Sequence, residues 1–188
     1  MKKLLLLLFS LLLNINHGVI AQNFTSQIEG FWNIKLGESK NIVVNKIKQK
    51  YPDSFFNRNE EMIINNCSLA GNKGSMVLKF TDNELSEGNF IISTQASTFT
   101  SAQSAKNFVN QNKKIIMNYF EQYFEAFYEK YGEPSMIMDQ SVIWKSSNNN
   151  KIKITLYFSD GYNPYSMFYY GDARLTVSYL NGNESIDY

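Results

Sequence analysis

The 188-residue sequence contains one histidine, His17, and one cysteine, Cys67. His17 lies in an N-terminal segment with the features of a signal peptide, so the mature chain is expected to lack imidazole. The Ser-His-Asp and Cys-His catalytic arrangements and the common zinc sites all use histidine. A single thiol excludes both an internal disulfide and a cysteine cluster. We therefore expect no metal site and no cofactor, and we expect stability to come from the hydrophobic core.

Phosphate-binding motifs and clustered positive charge are also missing from the sequence. Residues 71–74, Gly-Asn-Lys-Gly, lack the GxxxxGK[ST] spacing and are predicted to form a hairpin turn. The only arginines are Arg58 and Arg174, and removing Lys2 and Lys3 from the 18 basic residues leaves 16 against 17 acidic residues. Because this balance provides no electrostatic footprint for nucleic acid or an anionic membrane, neither is expected as a partner.

Residues 1–21 have the three parts of a cleavable signal peptide. Lys2 and Lys3 form a positive start, residues 4–13 are apolar except for one serine, and residues 19–21 are small or apolar. The apolar run has half the length of the ~20 residues that a membrane-spanning helix needs. We predict cleavage before Gln22, no membrane span afterwards, and export to the periplasm or the extracellular space.

The hydrophobic pattern of residues 22–188 predicts a single α+β domain with helices packed on one face of an antiparallel sheet. Helices are predicted over residues 39–51 and 101–131. The units 31–97 and 101–182 both run from a helix into three strands, which predicts two tandem helix-plus-three-strand repeats. The predicted strands cover residues 62–70, 75–81, 85–94, 141–145, 151–158 and 174–180.

Two short segments resemble a known superfamily. Residues 34–40 read Ile-Lys-Leu-Gly-Glu-Ser-Lys before the first helix, and residues 130–134 read Lys-Tyr-Gly-Glu-Pro after the second. With the order of helix and meander, they resemble the beta-lactamase-inhibitor-protein-like superfamily, which includes secreted inhibitors and outer-membrane assembly lipoproteins. This chain also resembles uncharacterised secreted bacterial proteins that carry a Lys-Tyr-Gly-x-Pro motif. The resemblance implies a binding or assembly role and transfers no catalytic residue.

The aromatic segment of residues 160–172 is the candidate binding surface. Tyrosine combines a large apolar face with a polar tip, which suits it to interfaces and to stacking on sugars. Asn163-Pro164 interrupts the segment, which favours an exposed surface over regular pairing. In the alternative, residues 165–170 form one strand of a hairpin closed by Gly171-Asp172, with alternate residues in the core. The candidate ligand-binding residues are Tyr162, Tyr165, Phe168, Tyr169 and Tyr170.

Paired carboxylates are the remaining catalytic option, because a glycosidase needs only two Asp or Glu residues across a cleft. Glu60 with Glu61 and Glu121 with Glu125 are the available pairs. The first is expected beside a polar turn and the second on the solvated face of a helix. Both positions favour a structural interpretation.

Cys67 and the two tryptophans are expected in the core. Alternation along the predicted strand places Cys67 on the same face as Ile63 and Leu69, which predicts a buried, unreactive thiol. Trp32 and Trp144 lie in apolar, strand-like surroundings, where core packing is the ordinary role.

These observations predict an exported, non-enzymatic binding protein whose partner is a protein, a glycan or another component of the cell envelope. The alternative is a histidine-free hydrolase or lyase that uses Asp, Glu or Tyr. A deep cleft with two convergent carboxylates would favour the enzyme, whereas a shallow aromatic surface would favour the binding protein.

We predict that N-terminal sequencing of the secreted protein begins within about two residues of Gln22, because Ala21 is the small residue that signal peptidase requires. Envelope-bound protein that retains Met1 would contradict cleavage.

Overall fold

The computed structural model describes residues 27–182, so the predicted signal peptide lies outside the described residues. Of these residues, 48% lie in strands and 26% in helices, so the fold is mainly β. The helices are α1 (Lys40–Lys50) and α2 (Ala102–Tyr131). The strands are β1 (Gly30–Phe31), β2 (Ile34–Lys35), β3 (Phe55–Phe56), β4 (Met62–Leu69), β5 (Asn72–Thr81), β6 (Glu84–Phe99), β7 (Met136–Met138), β8 (Ser141–Lys145), β9 (Lys151–Asn163) and β10 (Phe168–Leu180).

Eight strands form one antiparallel sheet in the order β3-β4-β5-β6-β10-β9-β8-β7. Each helix precedes a meander of four strands, so that β3 to β6 follow α1 and β7 to β10 follow α2. The two meanders join where β6 pairs with β10, from Phe99 opposite Tyr169 to Glu87 opposite Leu180. Strands β1 and β2 form a separate small hairpin.

The predicted α+β class is wrong, and so are the predicted repeats of three strands. Strands β6, β9 and β10 extend well beyond their predicted limits, and the short strands β3 and β7 were not predicted. The turn former Gly171, which predicts a strand end, lies inside β10 at a register shift against β6. Because a bulge lets the ladder continue past such a residue, the sheet is larger than the sequence pattern indicates.

The helix boundaries follow local signals. Helix α2 starts after Ser101, whose hydroxyl accepts a hydrogen bond from the Ser104 N–H at 3.2 Å, and it ends at Gly132, where φ is 80°. A capping serine hydroxyl and a glycine at positive φ are common at the two ends of helices. Helix α1 starts after Ser39 as predicted, but the Ser39 side chain makes no capping hydrogen bond. Neither α1 nor α2 combines the length and apolarity needed to cross a membrane.

The core lies between α2 and one face of the sheet. Helix α2 has a largely aromatic buried face, since Ile116, Phe120, Tyr123 and Phe127 are buried in the same cluster as alternate residues of β9 and β10. Trp144 of β8 is also buried, and its Nε1 donates to the Gly132 carbonyl at 2.9 Å. The end of α2 is therefore tied to the second meander.

The β1–β2 hairpin packs at the same end of the core, because the Phe31 ring lies 5.2 Å from that of Tyr179, which contacts Phe127 of α2. A Cβ atom at Gly88 of β6 would lie 2.3 Å from Cε1 of Phe31, so the Phe31 ring occupies space that only glycine leaves free. Trp32 is partly buried, and its Nε1 donates to the Ser68 carbonyl at 2.8 Å while its ring packs 5.4 Å from that of Tyr51. The hairpin is thus fixed to both β4 and α1.

One buried hydrogen bond joins α2 to the first meander. The hydroxyl of Tyr123 donates to the carbonyl of Leu69, at the end of β4, at 2.7 Å. Burial is the main cause that raises the pKa of Tyr123 to about 12. The phenol therefore remains a donor throughout the neutral and mildly alkaline range.

Replacing Tyr123 with phenylalanine is expected to lower the free energy of unfolding by about 1–2 kcal/mol, because the ring is kept while a buried carbonyl loses its partner. Tyr128→Phe, on the exposed side of the same helix, should change it by less than about 0.5 kcal/mol. Urea denaturation of both variants measures the difference. Equal stability of the two variants would show that the Tyr123 hydroxyl contributes nothing.

Candidate functional site

The β9–β10 hairpin extends beyond the part of the sheet that α2 covers. Phe108 and Val109 of α2 lie against Gly171, where an added Cβ atom would meet Cδ1 of Phe108 at 2.9 Å. Beyond Gly171, pairing continues to Phe168 opposite Asn163. Phe108 also packs 5.3 Å from Phe99, which lies opposite Tyr169, so the helix contact reaches the level of Tyr169 and the turn of the hairpin lies beyond it.

The tip of the hairpin is a four-residue turn, residues 164–167. The Asn163 side chain accepts hydrogen bonds from the N–H groups of Tyr165 at 3.0 Å and Ser166 at 3.3 Å. The Met167 N–H donates to the Asn163 carbonyl at 2.9 Å, and Met167 has a φ of 58°. Asn163 therefore organises the turn, as asparagine commonly does.

The turn position differs from both sequence-based interpretations. Regular pairing does cross most of the segment, and Gly171-Asp172 lies within β10 instead of closing the hairpin. The aromatic side chains are nevertheless at the surface: Tyr165 is 97% exposed, Met167 75% and Tyr162 51%, and Phe168 and Tyr170 are also exposed. Tyr169 is half-buried. The structure thus brings all five predicted residues together on one projecting ribbon.

Aromatic side chains cover both faces of this ribbon. On one face, Tyr162 and Tyr169 lie opposite each other with ring centroids 5.1 Å apart. Phe99 of β6 lies opposite Tyr169 in the next strand. On the other face, Tyr170 lies over Gly161, where a Cβ atom would approach its hydroxyl to 2.7 Å. We refer to residues 161–170 as the aromatic tip.

Two apolar residues of this region were missed as candidates. Phe99 lies beyond the predicted end of the third strand, so the pattern gave no reason to place it beside the hairpin. Met167 falls within the predicted segment, and its exposure follows from the turn at residues 164–167. Phe99 was missed because its neighbours come from long-range strand pairing. Met167 was missed because the position of the turn was not predicted.

The carboxylate pairs have structural roles or lie in solvent. Glu121 and Glu125 are exposed on α2. Glu60 forms an ion pair with Lys40 at 3.6 Å, and Glu61 accepts a hydrogen bond from the Asn57 amide at 2.7 Å. Within residues 27–182, no group of three His, Cys, Asp or Glu side chains is placed to hold a metal ion.

The face of the sheet opposite α2 carries an open cavity of about 580 Å³. Its walls come from β5, β6, β9 and β10, with the loop before β4 at one side. Three lysines and three glutamates line it together with small hydroxyl residues. The charged residues are Lys40, Lys79, Lys153, Glu60, Glu61 and Glu87.

Cys67 is buried, as predicted, and it shares a strand face with Leu69 but not with Ile63. A register shift between Ile64 and Cys67 reverses the alternation, so Cys67 is buried together with Ile64 and Leu69, whereas Ile63 is only half-buried. Burial raises the pKa of the Cys67 thiol to about 11. The thiol is therefore protonated at neutral pH.

Comparison with known proteins identifies one family. The family model described as TP0088 domain matches residues 29–184, nearly the whole described chain, and the chain belongs to this family. No curated protein and no solved structure matches. None of these comparisons matches the beta-lactamase-inhibitor-protein-like superfamily, so that resemblance stays a prediction.

We predict that native protein at pH 8 reacts with Ellman's reagent about 100-fold more slowly than a cysteine of pKa 9, because a thiol of pKa about 11 is a hundredth as ionised. The rate should rise about tenfold per pH unit above pH 8 and level off only above about pH 11. Protein unfolded in guanidinium provides the control, since its thiol is exposed. Rapid labelling of the native protein would contradict the burial of Cys67.

Proposed function

We propose that this member of the TP0088 domain family is an exported binding protein whose aromatic tip makes non-covalent contact with a partner in the cell envelope. The single observation that carries the proposal is the clustering of exposed Tyr162, Tyr165, Met167, Phe168 and Tyr170 on one projecting hairpin. The proposed partner is a protein, a glycan or another envelope component.

The exposed area at the aromatic tip supports this proposal energetically. Isolated apolar residues on a surface are ordinary, but a contiguous group of them marks an interaction site. Covering an aromatic ring removes up to 150–250 Å² from water, at roughly 25 cal/mol per Å². Folding leaves these rings exposed to water. A partner that buries them would therefore form a complex stabilised by the hydrophobic effect.

The defined geometry of the tip supports binding further. Hydrogen bonds from Tyr165 and Ser166 to the Asn163 side chain hold the turn, and the contact of Tyr162 with Tyr169 orders the ribbon below it. A preorganised surface loses less conformational entropy when it binds. Tyrosine and phenylalanine faces of this kind suit both protein interfaces and sugar rings.

The location of the protein is part of the proposal. The signal-peptide pattern of residues 1–21 supports export to the periplasm or the extracellular space. The resemblance to the beta-lactamase-inhibitor-protein-like superfamily, through residues 34–40 and 130–134, also implies a binding or assembly role. Both arguments come from the sequence and are independent of the exposed tip.

A hydrolase or lyase is less well supported. Such an enzyme without histidine would need free carboxylates that converge on a substrate. Glu60, Glu61 and Glu87 line the same cavity, but each is engaged by Lys40, Asn57 or Lys79. The cavity is also broad and open, whereas catalysis favours a site that excludes water.

Removing the two most exposed tyrosines tests the proposal. The double variant Tyr162→Ala/Tyr165→Ala should keep the melting temperature within about 2–4 °C of the wild type, because exposed side chains contribute less than about 0.5 kcal/mol each. Its retention on envelope fractions of the source cells should fall about tenfold or more, as expected when interface aromatics are truncated. Sedimentation of labelled protein with washed envelopes measures the retention.

Tyr128→Ala is the matched control, because Tyr128 is 47% exposed but lies on α2, away from the tip. This variant should be retained like the wild type. If the double variant is retained equally well, the aromatic tip is not the binding surface. If it melts far below the wild type, the tip belongs to the stabilising core and the proposal loses its basis.

A further inference from the structure

The uncovered face of the sheet holds a second group of side chains with unused hydrogen-bonding capacity. Lys153 of β9 lies directly opposite Ser178 of β10, and Thr155 is two residues along β9 on the same face. All three side chains line the cavity of about 580 Å³. They place one ammonium group and two hydroxyl groups within a small area.

The charges around this group are paired, except for Lys153 and for Glu61, whose carboxylate accepts a hydrogen bond from the neutral Asn57 amide. Lys40 lies 3.6 Å from Glu60, and Lys79 lies 2.8 Å from Glu87. Lys153 makes no ion pair or hydrogen bond with any residue in the range 27–182. Its ammonium group is therefore the positive charge in the cavity that is available to a ligand.

Ser178 provides a second group that can bind a ligand. Ser178 is only 8% exposed, and its hydroxyl has no hydrogen-bond partner among the described residues. The hydroxyl oxygen keeps contact with solvent, because the fully buried polar side-chain atoms without a partner in residues 27–182 are Asp172 Oδ1 and Arg174 Nε. Since Ser178 lines the cavity, a molecule in the cavity can provide that partner.

The Glu87 carboxylate beside this group is engaged. One oxygen of Glu87 lies against Lys79 and the other accepts a hydrogen bond from the Asn89 amide at 2.7 Å. A ligand that brings its own acceptor oxygens can pair with the Lys153 ammonium group. We propose that Lys153, Thr155 and Ser178 bind the oxyanion of a small ligand, a carboxylate or a phosphate group.

This site is separate from the aromatic tip. Lys153 and Asn163 lie at opposite ends of β9, about 30 Å apart at ~3.3 Å per residue. The two groups also use different chemistry, since one offers apolar rings and the other offers hydrogen-bond donors. Failure of either proposal leaves the other intact.

An NMR titration tests the oxyanion site. Inorganic phosphate and acetate are added in separate titrations to ¹⁵N-labelled protein, with sodium chloride adjusted to keep the ionic strength constant. We expect saturable shifts concentrated at the amides of Lys153, Thr155 and Ser178. The tighter of the two probes distinguishes a phosphate from a carboxylate ligand. Shifts that do not saturate, or that chloride alone reproduces, would overturn the proposal.

Variants separate the specific site from general charge. Lys153→Met should weaken binding of the tighter probe about tenfold or more, and Thr155→Val/Ser178→Ala about fivefold, as expected for charged and neutral hydrogen bonds. Lys113→Met removes an equal charge from α2 and should leave the affinity unchanged. An equal loss in Lys113→Met and Lys153→Met would show that only net charge matters and would refute the site. If Lys153→Met fails to fold, the hydroxyl double variant decides.

Discussion

Strands β6 and β10 pair along eleven residue positions, and both proposed binding sites depend on that pairing. It joins two meanders, each of which would otherwise end in an open edge, into one eight-stranded sheet. The joined sheet is wide enough for α2 to cover the centre of one face. It also places β6 beside the hairpin, so that Phe99 supports Tyr169, and it brings Glu87 of β6 close to Ser178 of β10.

The sheet separates two kinds of surface by simple alternation. Along β9, Ile152, Ile154 and Leu156 are buried under α2, whereas the intervening Lys153 and Thr155 line the opposite cavity. A sheet covered on one face only leaves its other face free for polar contacts. The aromatic tip lies where the cover ends, so the limited reach of α2 sets the boundary between core and candidate binding surface.

Local signals in the sequence predicted local structure well. The hydrophobic pattern predicted a helix over residues 101–131, which matches α2 (Ala102–Tyr131), and the tyrosine-rich segment identified the aromatic tip. Bulges were not predictable, since the register shift between Ile64 and Cys67 moves Cys67 to the face opposite Ile63 without a distinctive residue pattern. The cavity was missed because its walls come from strands distant in sequence. The predicted fold class was wrong because the lengths of the strands depend on pairing with strands that are distant in sequence.

The β6–β10 pairing also has a consequence for how the chain reaches its native state. Pairs within each meander join near neighbours in sequence, but this one joins residues separated by the whole of α2 and three further strands. Closing such a long loop costs conformational entropy before the stabilising contacts between β6 and β10 can form. This cost slows folding. We expect the first meander to form early during synthesis and to present β6, the longest strand, as a bare edge until β10 arrives. In that interval β6 is open to pairing with another copy of the chain, so self-association competes with folding most strongly when the protein is made fast.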